Sequence, residues 1–224
     1  MLHRGRWVSH NSFHQRYGRA MPSNGPHSTP STSTIGLVSW ISHDLEHVHS
    51  KLMNGVVGLI PRDFWSAPVD NGGSTINHLV LHLARHQDLA INTAIRNRPP
   101  IFADHAVALG LADASPWAAI AERDDRSVSQ VLDHSALLVY VDAVFEATKQ
   151  WLAHTGTMVL DTIPDTSRRL VEHAQLAVDQ FDWLHAMWTD KPVWWLLQWP
   201  VIGHGHTHVG ELTSLRNRLG FSPF

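Results

Sequence analysis

Residues 201–220 read VIGHGHTHVGELTSLRNRLG, and this stretch decides the fold more than any other part of the chain. Its leucines at positions 212, 215 and 219 recur at three- and four-residue steps, the spacing of the buried face of an amphipathic helix. His204 and His208 stand one helical turn apart, so both imidazoles lie on one face of that helix. The pattern predicts a C-terminal helix that directs two histidines to one point, as a metal site between packed helices requires.

Histidine spacing alone does not identify the metal ligands. The chain contains 18 His among 224 residues, and at that density roughly one or two pairs spaced by four residues arise by chance. Solvated and hydrogen-bonded histidines show the same spacing, so the surroundings of each pair must decide. Five pairs occur: His10/His14, His43/His47, His78/His82, His82/His86 and His204/His208.

Composition restricts the function classes. A chain of 224 residues with 43% hydrophobic residues is typical of one globular domain. The net charge of −3 gives no basic field for a phosphate backbone, so we expect no nucleic-acid partner. The absence of cysteine excludes disulfides and thiolate ligands, and it favours a cytoplasmic location. No apolar run approaches the roughly 18 residues of a membrane-spanning helix, so we expect a soluble protein without a membrane partner.

The first 33 residues differ from the rest. They contain four arginines and no acidic residue, and they end in the loop-forming run PSNGPHSTPSTS. We expect residues 1–33 to form a disordered tail and residues 34–224 to form the folded domain. An Arg-rich leader is also typical of a transit peptide, and a true translation start at Met21 instead of Met1 is an equally simple explanation.

The folded part contains four long amphipathic segments. They run from Thr34 to the break at Pro61, from a Ser74 cap to Pro99, over 127–154, and along the C-terminal stretch. Two long connections, 101–126 and 155–191, separate them, the second with a helical piece around 170–176. This order predicts an all-α protein, a four-helix bundle with long crossover connections. The buried face predicted for the third helix is Val131, Leu138, Val141, Val144, Phe145 and Leu152.

The second helix carries three histidines in succession. His82 lies beside Leu79 and Leu83 on the apolar face, which makes it the best candidate for a buried ligand. His78 and His86 drift from that face, because each step of four residues advances about 40° around the helix axis. We expect both to lie at the surface or behind the ligands. The alternative is that all three are surface or supporting histidines.

Two blocks of sequence carry a family resemblance. GSTI at 73–76 is followed by HLARHQD at 82–88, and the pattern HxxxHxGEL occupies 204–212. Over most of 35–221 the chain resembles the DinB-like superfamily of four-helix bundles, which includes thiol-dependent transferases and maleylpyruvate isomerases. The resemblance implies a divalent metal, zinc or nickel, bound by His82, His204 and His208, and a homodimer. That prediction fails if the ring of His82 lies more than about 8 Å from the other two.

The resemblance also implies an activity. A small-molecule thiol, activated at the metal, attacks an electrophilic small-molecule substrate in a transfer or isomerisation. The thiol must be external because the chain has no cysteine. Glu211, one turn after His208, is expected to orient a ligand ring or to act as a base. Three alternatives remain open: hydrolysis by metal-activated water, a metal-binding or interaction bundle without catalysis, and a histidine-rich bundle without metal.

Two further features precede the C-terminal ligands. Pro200 and the glycines at 203 and 205 weaken one helical turn, which predicts a kink. The kink either re-aims His204 or marks where the regular helix begins. Five tryptophans are expected in the core or at an interface, with a wall over the metal as the functional alternative: Trp183, Trp188, Trp194, Trp195 and Trp199.

Overall fold

The computed structural model describes residues 36–69, 73–112, 116, 118–121, 123 and 126–224. Over these residues the chain is helical and contains no strand, which confirms the predicted all-α class. Within the same ranges, no helix has both the length and the apolar composition needed to cross a membrane. The tail predicted over 1–33 lies outside the described residues.

Three of the helices continue as π-helical turns. The α-helices are α1 (Leu37–Ser50), α2 (Ile76–Asp88), α3 (Phe102–His105), α4 (Arg126–Val131), α5 (His134–Ala153), α6 (Thr166–Ala174), α7 (Asp182–Trp188), α8 (Val193–Leu196) and α9 (His204–Arg218). The π-helical segments Lys51–Val56 and Leu89–Ile95 extend α1 and α2, and Leu197–Gly203 joins α8 to α9. Short 3₁₀ turns cover Val57–Leu59, Arg62–Phe64 and Thr157–Val159.

The first helix buries the face that its periodicity predicts. Ile41, Leu45 and Val48 of α1 lie in the core, and Leu52 continues the stripe into the π-helical turn. Each side chain follows the previous one by three or four residues, so all of them face the same neighbours. This face packs against α5 and α9.

The second helix lies in the middle of the structure. Every residue of α2 is buried, and α2 packs against both α5 and α9. Two positions were expected for His78 and His86, at the surface or behind the ligands, and the surface position is wrong: they are 1% and 6% exposed. The predicted Ser74 cap is also off by one residue, since the Thr75 side chain accepts the backbone N–H of His78 at 3.2 Å.

The third predicted segment is two helices. The Asp133 carboxylate accepts the backbone N–H of Ala136 at 2.7 Å, so it starts a new helix and separates α4 from α5. Val131, predicted to be buried, is 55% exposed because it ends α4 before this break, and Leu138 is only half-buried. The other four predicted positions, 141, 144, 145 and 152, are buried.

The two connections contain helices of their own. α3 lies in the first connection, and α6 and α7 lie in the second, where α6 packs against the π-helical extension of α2. Before the last helix, Pro200 lies inside the π-helical segment, and the regular α-helix begins at His204. The structure thus agrees with the interpretation that the Pro-Gly run marks the start of this helix.

Candidate metal centre

The packing of α2 against α9 brings the three predicted ligands together. The ring centroid of His82 lies 4.9 Å from that of His204 and 4.8 Å from that of His208, well inside the limit of about 8 Å that the prediction requires. The rings of His204 and His208 are 4.3 Å apart. All three side chains are buried, so they are shielded from bulk water. Helix α2 supplies His82, and helix α9 supplies His204 and His208.

The ring nitrogens lie at distances that suit a shared cation. The Nε2 atom of His204 lies 3.1 Å from Nε2 of His82 and 3.0 Å from Nε2 of His208. Two nitrogens that each bind one zinc ion at about 2.0–2.1 Å lie about 2.9–3.4 Å apart for bond angles between about 90° and 109°. The three side chains are therefore close enough to bind one metal ion.

Hydrogen bonds on the far side of two rings set their tautomers. Nδ1–H of His82 donates to the Ala119 carbonyl at 2.9 Å, and Nδ1–H of His208 donates to the Glu211 carboxylate at 3.1 Å. Because these oxygens only accept, each neutral ring carries its lone pair on Nε2. Three converging Nε2 atoms therefore share at most one proton, that of His204. A cation satisfies this set of lone pairs better than a single proton does.

Burial keeps the imidazoles of His82 and His204 neutral. Desolvation, reinforced by the neighbouring His86, lowers the pKa of His82 from 6.5 to about 2. The same causes lower the pKa of His204 far below its ordinary value. A neutral imidazole is the form that binds a metal, so neither ring has to lose a proton at neutral pH before it can act as a ligand.

The two polar neighbours on α9 have different surroundings. Glu211 contacts His208 directly, and its side chain is 44% exposed, so one carboxylate oxygen orients a buried ring from the solvent edge. His206 lies on another face of the helix, and its Nε2 lies 3.0 Å from a carboxylate oxygen of Asp44. Glu211 thus belongs to the cluster, whereas His206 does not.

A fourth histidine adjoins the cluster, in the second of the two positions that the sequence left open for it. The ring of His86 lies 4.4 Å from that of His204 and 4.5 Å from that of His82. Its Nε2–H donates to the Ile120 carbonyl at 2.8 Å, and burial lowers its pKa from 6.5 to about 4. Its spacing from His82 was the available signal. The position of His86 beside the cluster was not singled out, because α2 was assumed to have an exposed face.

The loop that contains residues 116 and 118–120 covers the side of α2 that carries His82, Arg85 and His86. Besides the bonds of His82 and His86 to residues 119 and 120, Arg85 donates to the carbonyls of Ala118, at 3.3 Å, and of Pro116. Four carbonyls of residues 116–120 thus accept protons from three α2 side chains. Ala119 adopts a left-handed backbone with φ of 57°, an unfavourable conformation for an alanine.

Two of the five tryptophans before α9 lie near the cluster, and the other three have different surroundings. Trp188 is buried and meets the His86 ring edge-on at 5.9 Å, and the Trp183 ring lies 6.4 Å from the same histidine. Trp195 packs against the core. Trp194 instead lines a separate apolar groove of about 300 Å³, which contains none of the three ligands. The remaining member, Trp199, is 40% exposed.

The three-histidine cluster stands out in the part of the chain that the structure describes, where no other group of three His, Asp or Glu residues is placed to bind a metal. Comparison with known proteins finds no matching family model, curated protein or solved structure. The family resemblance therefore depends on the two sequence blocks at 73–88 and 204–212.

Proposed function

We propose that this protein is a metal-dependent enzyme of the DinB-like superfamily, a four-helix bundle whose principal helices are α1, α2, α5 and α9. One observation carries the proposal: three buried Nε2 atoms, two with their lone pairs fixed by hydrogen bonds, converge within 4.8 Å. They come from the two sequence blocks that carry the resemblance. The packing of α2 against α9 supports the same arrangement.

Zinc or nickel suits this donor set. Imidazole nitrogen binds several first-row divalent ions, and the cluster contains no thiolate that would select a softer ion. Three protein ligands leave at least one position open for a substrate, as in catalytic sites and unlike closed structural sites. Glu211 holds His208 and the Ala119 carbonyl holds His82, so two ligands are oriented before any ion arrives.

The proposed reaction is the attack of an external thiol on a small electrophilic substrate, by transfer or isomerisation. A bound divalent cation would stabilise the anion that forms when a coordinated thiol or water loses its proton. It would therefore lower the pKa of that thiol or water. The side chains around the cluster exclude bulk water, since all three ligands and His86 are less than 9% exposed. The chain itself supplies no thiol because it has no cysteine.

Elemental analysis tests the metal site. Protein purified without an affinity tag should contain close to one equivalent of zinc or nickel per chain, and His208→Ala should lose most of it. His206→Ala is the matched control, because His206 lies in the same helix but pairs with Asp44. Equal metal content in all three proteins would refute a site formed by these histidines.

Turnover assays test the reaction. The metal-loaded protein is given glutathione and a chromogenic electrophile, and separately an activated ester without thiol. The proposal predicts a thiol-dependent rate that His82→Ala removes and His206→Ala retains. Ester cleavage without thiol would instead indicate a hydrolase. Metal-dependent stability without either reaction would indicate a passive bundle.

A further inference from the structure

A second candidate site lies far along the helix that starts with α2. An open cavity of about 650 Å³ is formed where the π-helical extension of α2 ends beside the C-terminal turns of α5. Arg96, Arg98, Trp151 and His154 line it, and none of its lining residues is acidic. The chain as a whole has a net charge of −3, whereas the lining of this cavity contains basic, polar and apolar groups and no acidic one. The cavity is therefore more positive than the protein average.

Neither arginine has a carboxylate partner among the residues that the structure describes. Nη1 of Arg96 donates to the side-chain oxygen of Asn92 at 2.7 Å, which holds its guanidinium in place. The Arg98 guanidinium is exposed and has neither a hydrogen bond nor an ion pair with any residue that the structure describes. Burial and the nearby charge of Arg98 both lower the pKa of Arg96. This pair therefore concentrates positive charge that the described residues do not neutralise.

These arginines are not needed to cap the helix. Arg169 already donates to the final carbonyls of the helix, those of residues 94 and 95, at 2.6 and 3.0 Å. Asn97 takes a left-handed conformation with φ of 56°, a geometry that asparagine tolerates better than most residues. On either side of Asn97, the backbone N–H of Arg96 donates to the carbonyl of residue 91 at 3.0 Å, and that of Arg98 donates to the carbonyl of residue 92 at 2.9 Å. The turn thus fixes both arginines at the cavity.

The cavity lining also includes an aromatic side chain from α5. Trp151 is half-buried on α5, and aromatic faces of this kind stack on planar rings. Nδ1–H of His154 donates to the Gln150 carbonyl at 2.8 Å, so Nε2 of this ring is the atom left for a ligand. Two guanidinium groups in one cavity with an aromatic side chain match an anion attached to a flat ring.

We propose that this cavity binds a small organic anion, a phosphate or carboxylate group attached to a planar ring. The guanidinium groups of Arg96 and Arg98 hold the anion, and Trp151 holds the ring. Arg96 follows His82 by 14 residues in one continuous helical stretch, a distance of roughly 20 Å at 1.5 Å per residue. The anion site is therefore separate from the metal centre, and its ligand does not reach the three histidines.

Ligand-observed NMR titration of the full chain at low ionic strength tests this site. The probes are phenyl phosphate, benzoate and inorganic phosphate, and they separate the contribution of the ring from that of each anion. Arg98→Gln should weaken phenyl phosphate binding at least threefold, because a charged donor without other partners is lost. Arg126→Gln is the matched control, since Arg126 is also exposed but lies outside the cavity. Trp151→Leu should remove the preference for phenyl phosphate over inorganic phosphate.

A variant of the metal site separates this proposal from the previous one. His208→Ala should leave phenyl phosphate binding unchanged, whether or not the protein proves to be an enzyme. Binding that disappears in His208→Ala and persists in Arg98→Gln would place the anion at the metal and overturn the proposal. Absence of saturable binding of all three probes would overturn it as well. Circular dichroism of each variant confirms that the helices are retained.

Discussion

Two glycines of the last helix should respond oppositely to alanine. Gly205 lies where α9 crosses α1, and a Cβ atom added there would lie 2.9 Å from Cγ1 of Val48. Gly210, five residues later in the same helix, is exposed and has no atom within 4 Å of such a Cβ. The two positions therefore share a helix and differ in their neighbours.

The structure sets the size of the effect. Alanine is favoured over glycine inside a helix by about 1 kcal/mol, so Gly210→Ala should raise the free energy of unfolding by about 0.5–1 kcal/mol. At Gly205 the same gain opposes an overpacking cost of about 1–3 kcal/mol. Val48 cannot rotate away easily because it is fully buried and β-branched. We expect Gly205→Ala to be less stable than Gly210→Ala by about 1–3 kcal/mol.

Urea unfolding of the metal-free protein measures both effects. A double-mutant cycle with Val48→Ala identifies their cause, because removing the Val48 methyl groups opens space for the new Cβ. In that background Gly205→Ala should stabilise the protein as Gly210→Ala does. If Gly205→Ala stabilises the otherwise unchanged protein as much as Gly210→Ala, the close approach of α1 and α9 is not as described and the reasoning fails.

Three further predictions concern the site and the buried ionisable groups. Glu211→Ala should weaken metal binding about tenfold or more, with a smaller loss in Glu211→Gln, as measured by competition with a chelating dye; equal affinity in all three proteins would contradict the role of Glu211 in orienting His208. Below pH 6.5 the unfolded chain protonates His86 while the folded chain does so only near pH 4, so His86 alone should lower the free energy of unfolding of the metal-free protein by about 3 kcal/mol over that interval. His82 and His204, whose pKa values are also lowered by burial, should add to this loss. Urea midpoints at several pH values check this, and His86→Phe should show a weaker dependence. Burial and the neighbouring Asp88 raise the pKa of Tyr140 well above 10, so the unfolded chain loses this proton first and stability should fall as the pH rises beyond 10. Ultraviolet titration of Tyr17→Phe, which leaves Tyr140 as the single tyrosine of the chain, should show ionisation only together with unfolding.

The sequence indicated the fold class and the shared face of His204 and His208, because periodicity and i,i+4 spacing act along one helix. The meeting of His82 with these two was implied only by the family resemblance. Ile41, Leu45 and Val48 recur at helical spacing and lie in the core, and the candidate ligands His204 and His208 are buried as well. Such predictions need no knowledge of distant contacts.

The sequence did not reveal how completely α2 is enclosed. The surface was one of the two positions expected for His78 and His86, because polar residues on a helix usually mark its solvent face. Here backbone carbonyls from a loop more than 30 residues away accept protons from His82, Arg85 and His86, so these three polar side chains are buried with main-chain partners. The break between α4 and α5 escaped detection for a local reason: the Asp133 cap interrupts an apolar pattern that continues beyond it.

The bonds from α2 to residues 118–120 have a consequence for the evolution of this protein. Their acceptors are main-chain oxygens, which every amino acid possesses, so exchange of the side chains there preserves the orientation of His82 and His86. At residue 119 selection should act on backbone shape, with glycine or asparagine tolerated and β-branched residues disfavoured, because φ is 57°. The support of the candidate metal centre can thus be inherited while the hydrogen-bonding groups of this stretch stay the same, and the constraint on residues 118 and 120 is only that their side chains fit the core.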